Sequence, residues 1–202
     1  MKQTNNELLR KFETMSRWMI EDTKRAMFQA KANFLVAQGL LNYTEVIGSF
    51  ILPNGSSGER FDAFFSRMGV EYIALIRRFN NRRSTNRHIV YDDLRCGLTH
   101  EYAIKRKRFI VYNHGGDQDL TDQEINNLGI DINGTSVRCA AGVIHSWNHR
   151  KGIWHFIDPK YWLDFRVALD QYIQEVGNPR NRDLRRSFFG RARTINFLQF
   201  VV

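Results

Sequence analysis

Cysteine is almost missing from this chain of 202 residues, which holds Cys96 and Cys139 alone. Two thiols allow one bridge and exclude the disulfide framework of a small secreted scaffold. The first residues, "MKQTNNELLRKFETM", contain no apolar core of signal-peptide length. No run reaches the ~20 apolar residues that a membrane span needs, so the expectation is a cytoplasmic protein without a membrane partner. There is no internal repeat, Walker loop, dinucleotide fingerprint or nucleophile elbow. Nucleotide hydrolysis by a P-loop, Rossmann-type cofactor chemistry and serine hydrolysis therefore have no foothold. No CxxC pair or HExxH helix is present either. His145, His149 and His155 near Cys139 read as hairpin residues, and the expectation is no metal and no cofactor.

What is present is apolar and basic. Hydrophobic residues make up 43% of the chain and 15 residues are Phe, which suits a folded core that needs neither disulfide nor metal. Thirty basic residues against 21 acidic ones leave a net charge of +9. That balance favours RNA or another phosphate-bearing ligand.

Periodicity divides the chain. Leu8, Phe12, Met15, Met19 and Ala26 recur at helical spacing within a segment of about 5–50. This segment is one bent helix or two, with Gly39 and Gly48 as weak points. "LPNGSSG", Leu52 to Gly58, is a loop. A second helical stripe runs from Glu59 to Phe79, and a basic break, "RRFNNRRSTNRH", follows it. Ser84 or Thr85 is placed to cap a helix over about 86–103. From Lys107 to Ile157 the texture turns to short β-rich runs: "RFIVY", "TSVRCAAGVIHSW" and "GIWHFI", with a small polar helix in "TDQEINNLG". Asp158–Pro159 opens a helix that stops at Gly177–Asn178–Pro179. Residues 180–202 form a final helix or a basic arm. The expected fold is mainly α: a single helical-bundle domain over residues 1–202, with a β-containing insertion at about 107–157 and a basic tail at about 180–202.

The chemistry-bearing stretch is "YDDLRCGLTHEY", Tyr91 to Tyr102. On an α-helix Tyr91, Leu94, Leu98 and Tyr102 share a core face, Arg95 lies at its edge, and His100 points away. Five positions separate the pair, or ~140° of helical rotation. Histidine exchanges protons near neutral pH, and arginine holds phosphate oxygens with two donors. Together they suit RNA cleavage without metal, in which the 2′-oxygen attacks the adjacent phosphate and positive charge stabilises the crowded intermediate. Asp92 and Asp93 are placed to pair with Arg95 or Arg87 as surface ion pairs.

This Arg-x4-His stretch resembles the Arg-x4–6-His motif of the HEPN superfamily (higher eukaryotes and prokaryotes nucleotide-binding domains). The resemblance implies a helical bundle, a homodimer whose paired motifs line one cleft, and a metal-independent endoribonuclease acting as a toxin or defence factor, with an antitoxin protein as a possible partner. It places Arg95 and His100 as the catalytic pair. Active members commonly carry a polar residue just after the arginine, where this chain has Cys96. Glu101 is positioned to orient His100. The alternatives are a catalytically inactive RNA- or nucleotide-binding relative and a structural or protein-interaction dimer. Arg82, Arg83 and Arg87 precede the motif, and Lys105, Arg106, Lys107 and Arg108 follow it. They form the expected RNA-binding rim. Phe188 and Phe189 in the basic tail read as docking residues ahead of base-stacking ones. Trp147 and Trp154 read as packing residues.

Overall fold

The computed structural model describes residues 3–80, 88–96, 108–112, 119–148 and 151–195. Helix α1 (Asn5–Phe28) begins where Thr4 and Glu7 cap one another: the Thr4 hydroxyl accepts from the Glu7 N–H, and the Glu7 carboxylate accepts from the Thr4 N–H. The same reciprocal cap, Ser56 with Glu59, starts α3 (Ser57–Phe65), and Thr121 with Glu124 starts α6 (Asp122–Asn126). Each satisfies two backbone donors that a helix start otherwise leaves bare. Between α1 and α2 (Asn33–Ile51) the chain turns at Lys31, whose φ is 51°.

The break therefore falls at 29–32 and not at Gly39 or Gly48. Gly48 serves a close approach: a Cβ there would lie 1.7 Å from the Arg60 carbonyl oxygen of α3. Leu52–Ser56 make the expected turn. The stripe read as one helix over 59–79 is divided. α3 passes through a 3₁₀ turn at Ser66–Met68, and α4 (Val70–Asn80) starts anew after Gly69, whose φ is 139°.

Phe12 shows why the bundle closes. Its ring meets Phe50 of α2 at 4.9 Å, Phe188 of α8 (Arg182–Thr194) at 4.9 Å and Tyr172 of α7 (Asp158–Gly177) at 6.1 Å. Four helices from both ends of the chain thus share one aromatic cluster, and burying each such ring contributes ~1.5–3 kcal/mol. Residues 34–51 are long and apolar enough to cross a membrane, yet half of them lie buried among these helices, as in a core helix. The tail follows its docking reading: Phe188 and Phe189 are buried. Arg185 donates to the terminal carbonyls of α7, and Arg193 donates to Asn5 Oδ1 at 2.6 Å.

The β element sits between the helical halves. Strands β1 (Arg108–Tyr112), β5 (Lys151–Ile157) and β4 (Val143–Asn148) form a sheet in the order β1-β5-β4. β1 runs parallel to β5, and β4 runs antiparallel to it. A separate hairpin joins β2 (Gly129–Ile132) to β3 (Thr135–Arg138). Two details correct the reading from sequence. β2 was not expected. The run Thr135–Trp147, read as one strand, is two. Between them Cys139 N–H donates to the Leu128 carbonyl, and Gly142 N–H turns inward to donate to the Tyr72 hydroxyl at 2.8 Å. Both cysteines are free thiols. The architecture is mainly α with a small β element, built on a main apolar core that the helices and the three-stranded sheet share, with a small second cluster of Ile130, Cys139 and Ile157.

Candidate functional site

The chain approaches the Arg-x4-His stretch through a clamp. Asp62 of α3 accepts from Asn80 Nδ2 at 2.7 Å, and its Oδ2 lies 2.6 Å from His88 Nδ1. Asn80 Oδ1 accepts in turn from Val90 N–H. One carboxylate thus ties together both ends of the segment 81–87. Burial raises the Asp62 pKa, and the bonds from His88 and Asn80 oppose that rise. Gly58 makes room for the clamp, because a Cβ there would lie 2.4 Å from His88 Cγ.

Helix α5 (Ile89–Tyr91) then begins, with Val90 and Leu94 fully buried as its anchors. From Asp92 to Cys96 the backbone widens into a π turn, a local form that recurs at functional sites. The expected regular helix over 86–103 is therefore corrected within the described part. An i→i+5 pattern brings residues five apart together, and Tyr91 forms a side-chain hydrogen bond with Cys96. Tyr91 is pushed up to about 12, first by burial and then by that bond, while a bond from Ser57 opposes the shift.

Arg95 does not pair with Asp92 or Asp93. Its Nε lies 2.9 Å from Glu45 Oε2 of α2, and its guanidinium lies 5.8 Å from the centre of the Tyr91 ring. The Nε–H is not aligned on an acceptor, so this contact is an ion pair by distance and not a directed hydrogen bond. The Arg95 and Glu45 side chains keep 21% and 17% of their surface exposed. Asp93 is used elsewhere: its Oδ2 accepts from Trp154 Nε1 at 3.1 Å, which joins the motif to β5. Glu45 went unrecognised in the sequence, although it is the only charged residue between Asn33 and Ile51. A lone carboxylate in an otherwise uncharged helix signals a buried cationic partner.

Arg95 and Cys96 thus sit together beside Glu45, Ser57 and Tyr91. His100, Glu101, Arg82, Arg83, Arg87, Lys105, Arg106 and Lys107 lie outside the described residues. Arg108 opens β1 level with Ile153 of β5, and its side chain is likewise outside them. His145 and His155 do not converge. They lie on paired strands one register step apart, since Ile144 and not His145 faces His155. His155 bonds Ser146 Oγ at 2.7 Å and Tyr112 at 3.2 Å. His145 packs among Phe79, Trp147 and Trp154. His149 lies outside the described residues. Among the described residues, no three His, Cys, Asp or Glu side chains gather as a metal would require.

Comparison of the chain with protein-family models, with curated proteins and with solved structures finds no match.

Proposed function

We propose that this chain binds RNA and cleaves it without a metal ion, using Arg95 and His100 in a homodimer. His100 takes the proton of a 2′-hydroxyl, whose oxygen forms a bond to the neighbouring phosphorus. The P–O5′ bond breaks, and the leaving oxygen gains a proton. Arg95 offsets the charge that builds on the phosphoryl oxygens. The observation that carries this reading is the placement of Arg95. Its guanidinium is held on the Tyr91 ring at a partly exposed edge of the bundle, on a π turn. The Arg-x4-His resemblance and the net charge of +9 support it.

A second reading, phosphate binding without cleavage, is favoured by one specific observation. Glu45 already balances the Arg95 charge, and the neighbouring position holds a Cys96 thiol, a weak hydrogen-bonding group.

RNA incubated with the protein in EDTA separates the two. The first reading expects products ending in a 2′,3′-cyclic phosphate and a 5′-hydroxyl. It also expects a loss of roughly 10²–10⁴-fold in His100→Ala, with the fold of the variant retained. A wild-type protein that binds RNA in a salt-sensitive way and never cuts it supports the second reading. Equal cutting by wild type, Arg95→Ala and His100→Ala defeats the assignment of the pair.

A further inference from the structure

A cleft of about 290 Å³ opens between α4 and the β3–β4 segment. One wall is a single face of α4, with Glu71, Ala74, Leu75 and Arg78 at helical spacing. The other wall carries Val137, Arg138 and His145. Its middle is apolar and its rim holds two exposed guanidiniums. Among the described residues neither Arg78 nor Arg138 has a carboxylate partner. Arg138 is nonetheless oriented, because its Nη2 donates to Asn127 Oδ1 at 3.0 Å and to the Asn126 carbonyl at 3.4 Å.

Beyond His145 the wall continues in aromatic rings. The imidazole lies 5.2 Å from the ring of Trp147, which is 54% exposed. Alternation along β4 puts His145 and Trp147 on the same face of the sheet. The imidazole is also 4.7 Å from the Phe79 ring and 4.6 Å from Trp154, so this wall is fixed by packing on three sides.

We propose that this cleft receives one unpaired nucleotide of a single-stranded RNA, with Arg78 and Arg138 holding its phosphate and Trp147 stacking the adjacent base. Three features select this ligand. Two exposed arginines lining one cleft, neither with a carboxylate partner among the described residues, suit a phosphate, which accepts paired donors. An apolar floor beside an exposed indole suits base faces, which stack without regard to sequence. Glu71 opposes an acidic peptide, while its carboxylate accepts from the amino group of a base. The volume admits a single splayed nucleotide and not a duplex. The inference rests on the RNA-binding part of the reading above and not on cleavage at Arg95.

The test uses the full chain and a fluorescein-labelled, 2′-O-methylated single-stranded RNA. Such a strand has no free 2′-hydroxyl and stays intact whatever the nuclease activity. Anisotropy titrations at low salt compare wild type with Trp147→Ala, with the double variant Arg78→Gln/Arg138→Gln, and with Ala74→Phe. The last fills the cleft and leaves every charge in place. All four positions are exposed, and the melting temperature of each variant verifies its fold. The expected result is a loss of roughly tenfold or more in each, with the same sequence as a duplex competing poorly.

Wild-type affinity in all three cleft variants, with RNA still bound, overturns the cleft and leaves the RNA reading standing. A wild-type protein that binds no RNA, or binds polyglutamate through these residues in its place, overturns both.

Discussion

Two carboxylates on α7, the fully buried Asp158 and the largely buried Asp164, have opposite surroundings. Asp164 is held from both sides. Lys160 Nζ donates to its Oδ1 at 2.6 Å, and the Tyr72 hydroxyl donates to its Oδ2 at 2.6 Å. Lys160 also donates to Asn126 Oδ1, and Tyr72 accepts from Gly142 N–H. Asp158 is fully buried, and among the described residues neither of its oxygens has a hydrogen-bond partner. Burial raises both pKa values. At Asp164 the bonds from Lys160 and Tyr72 oppose the rise, whereas at Asp158 nothing does and its pKa climbs to about 8. Depth below the surface therefore does not by itself set the cost of a charge. The number of partners that replace water does. Asp164 works as a charged joint between α4, α6, α7 and the β4 approach. Asp158 is a neutral acid through most of the pH range.

The largest expected effect tests the unpartnered group. A folded pKa raised from 3.8 to about 8 makes the contribution of Asp158 greatest below about pH 4. That contribution is lost progressively as pH rises toward 8 and is absent above it. The full span corresponds to on the order of 5 kcal/mol. Asp158→Asn should show no such decline. In urea unfolding its stability relative to wild type should climb between pH 5 and pH 9. A constant difference across that range would show that Asp158 finds compensation in solution.

Asp164→Ala should act in the other direction and cost ~3–5 kcal/mol at neutral pH, because it strands the Lys160 ammonium in the interior. The double variant Asp164→Ala/Lys160→Met should recover much of the loss. Equal destabilisation by the single and double variants would mean that lost packing, not the stranded charge, dominates.

The Arg95–Glu45 pair lies between these extremes, with partial exposure and one close contact. Glu45→Gln should change stability by about 1 kcal/mol or less. It should also tighten RNA binding at low salt, since it removes a negative charge beside Arg95. Weaker RNA binding by Glu45→Gln would mean that Glu45 positions Arg95 and does not compete with the phosphate.

The helical plan was legible because its signals are local. The stripe of Leu8, Phe12 and Met19, and the Asp158–Pro159 start, each specify an element within a few residues. The β-rich texture was legible as well: the strands of the described residues fall between Arg108 and Ile157. The split between β3 and β4 was not, because Gly142 turns inward to meet Tyr72, seventy positions earlier in the chain. Nor was the π turn at Asp92–Cys96, whose register depends on anchors at Val90 and Leu94 and on the Trp154 bond to Asp93. Of the candidate site, the sequence pointed to Arg95 through its spacing from His100. It did not point to the Glu45 that balances Arg95, although Glu45 stood alone among uncharged neighbours.

By itself the sequence determined which faces are apolar, where some helices start, as at Asp158–Pro159, and that the chain carries excess positive charge. Those properties follow from side-chain chemistry at separations of three or four residues. Tertiary structure alone decided which arginines are neutralised. Arg95 meets a carboxylate because α2 packs across the motif. Arg78 and Arg138 meet none among the described residues, where they line a cleft between α4 and the β3–β4 segment. The strength of a charge depends on distances of a few ångströms to groups that lie far away in the chain, as Glu45 lies fifty positions from Arg95, and only the packed core sets those distances.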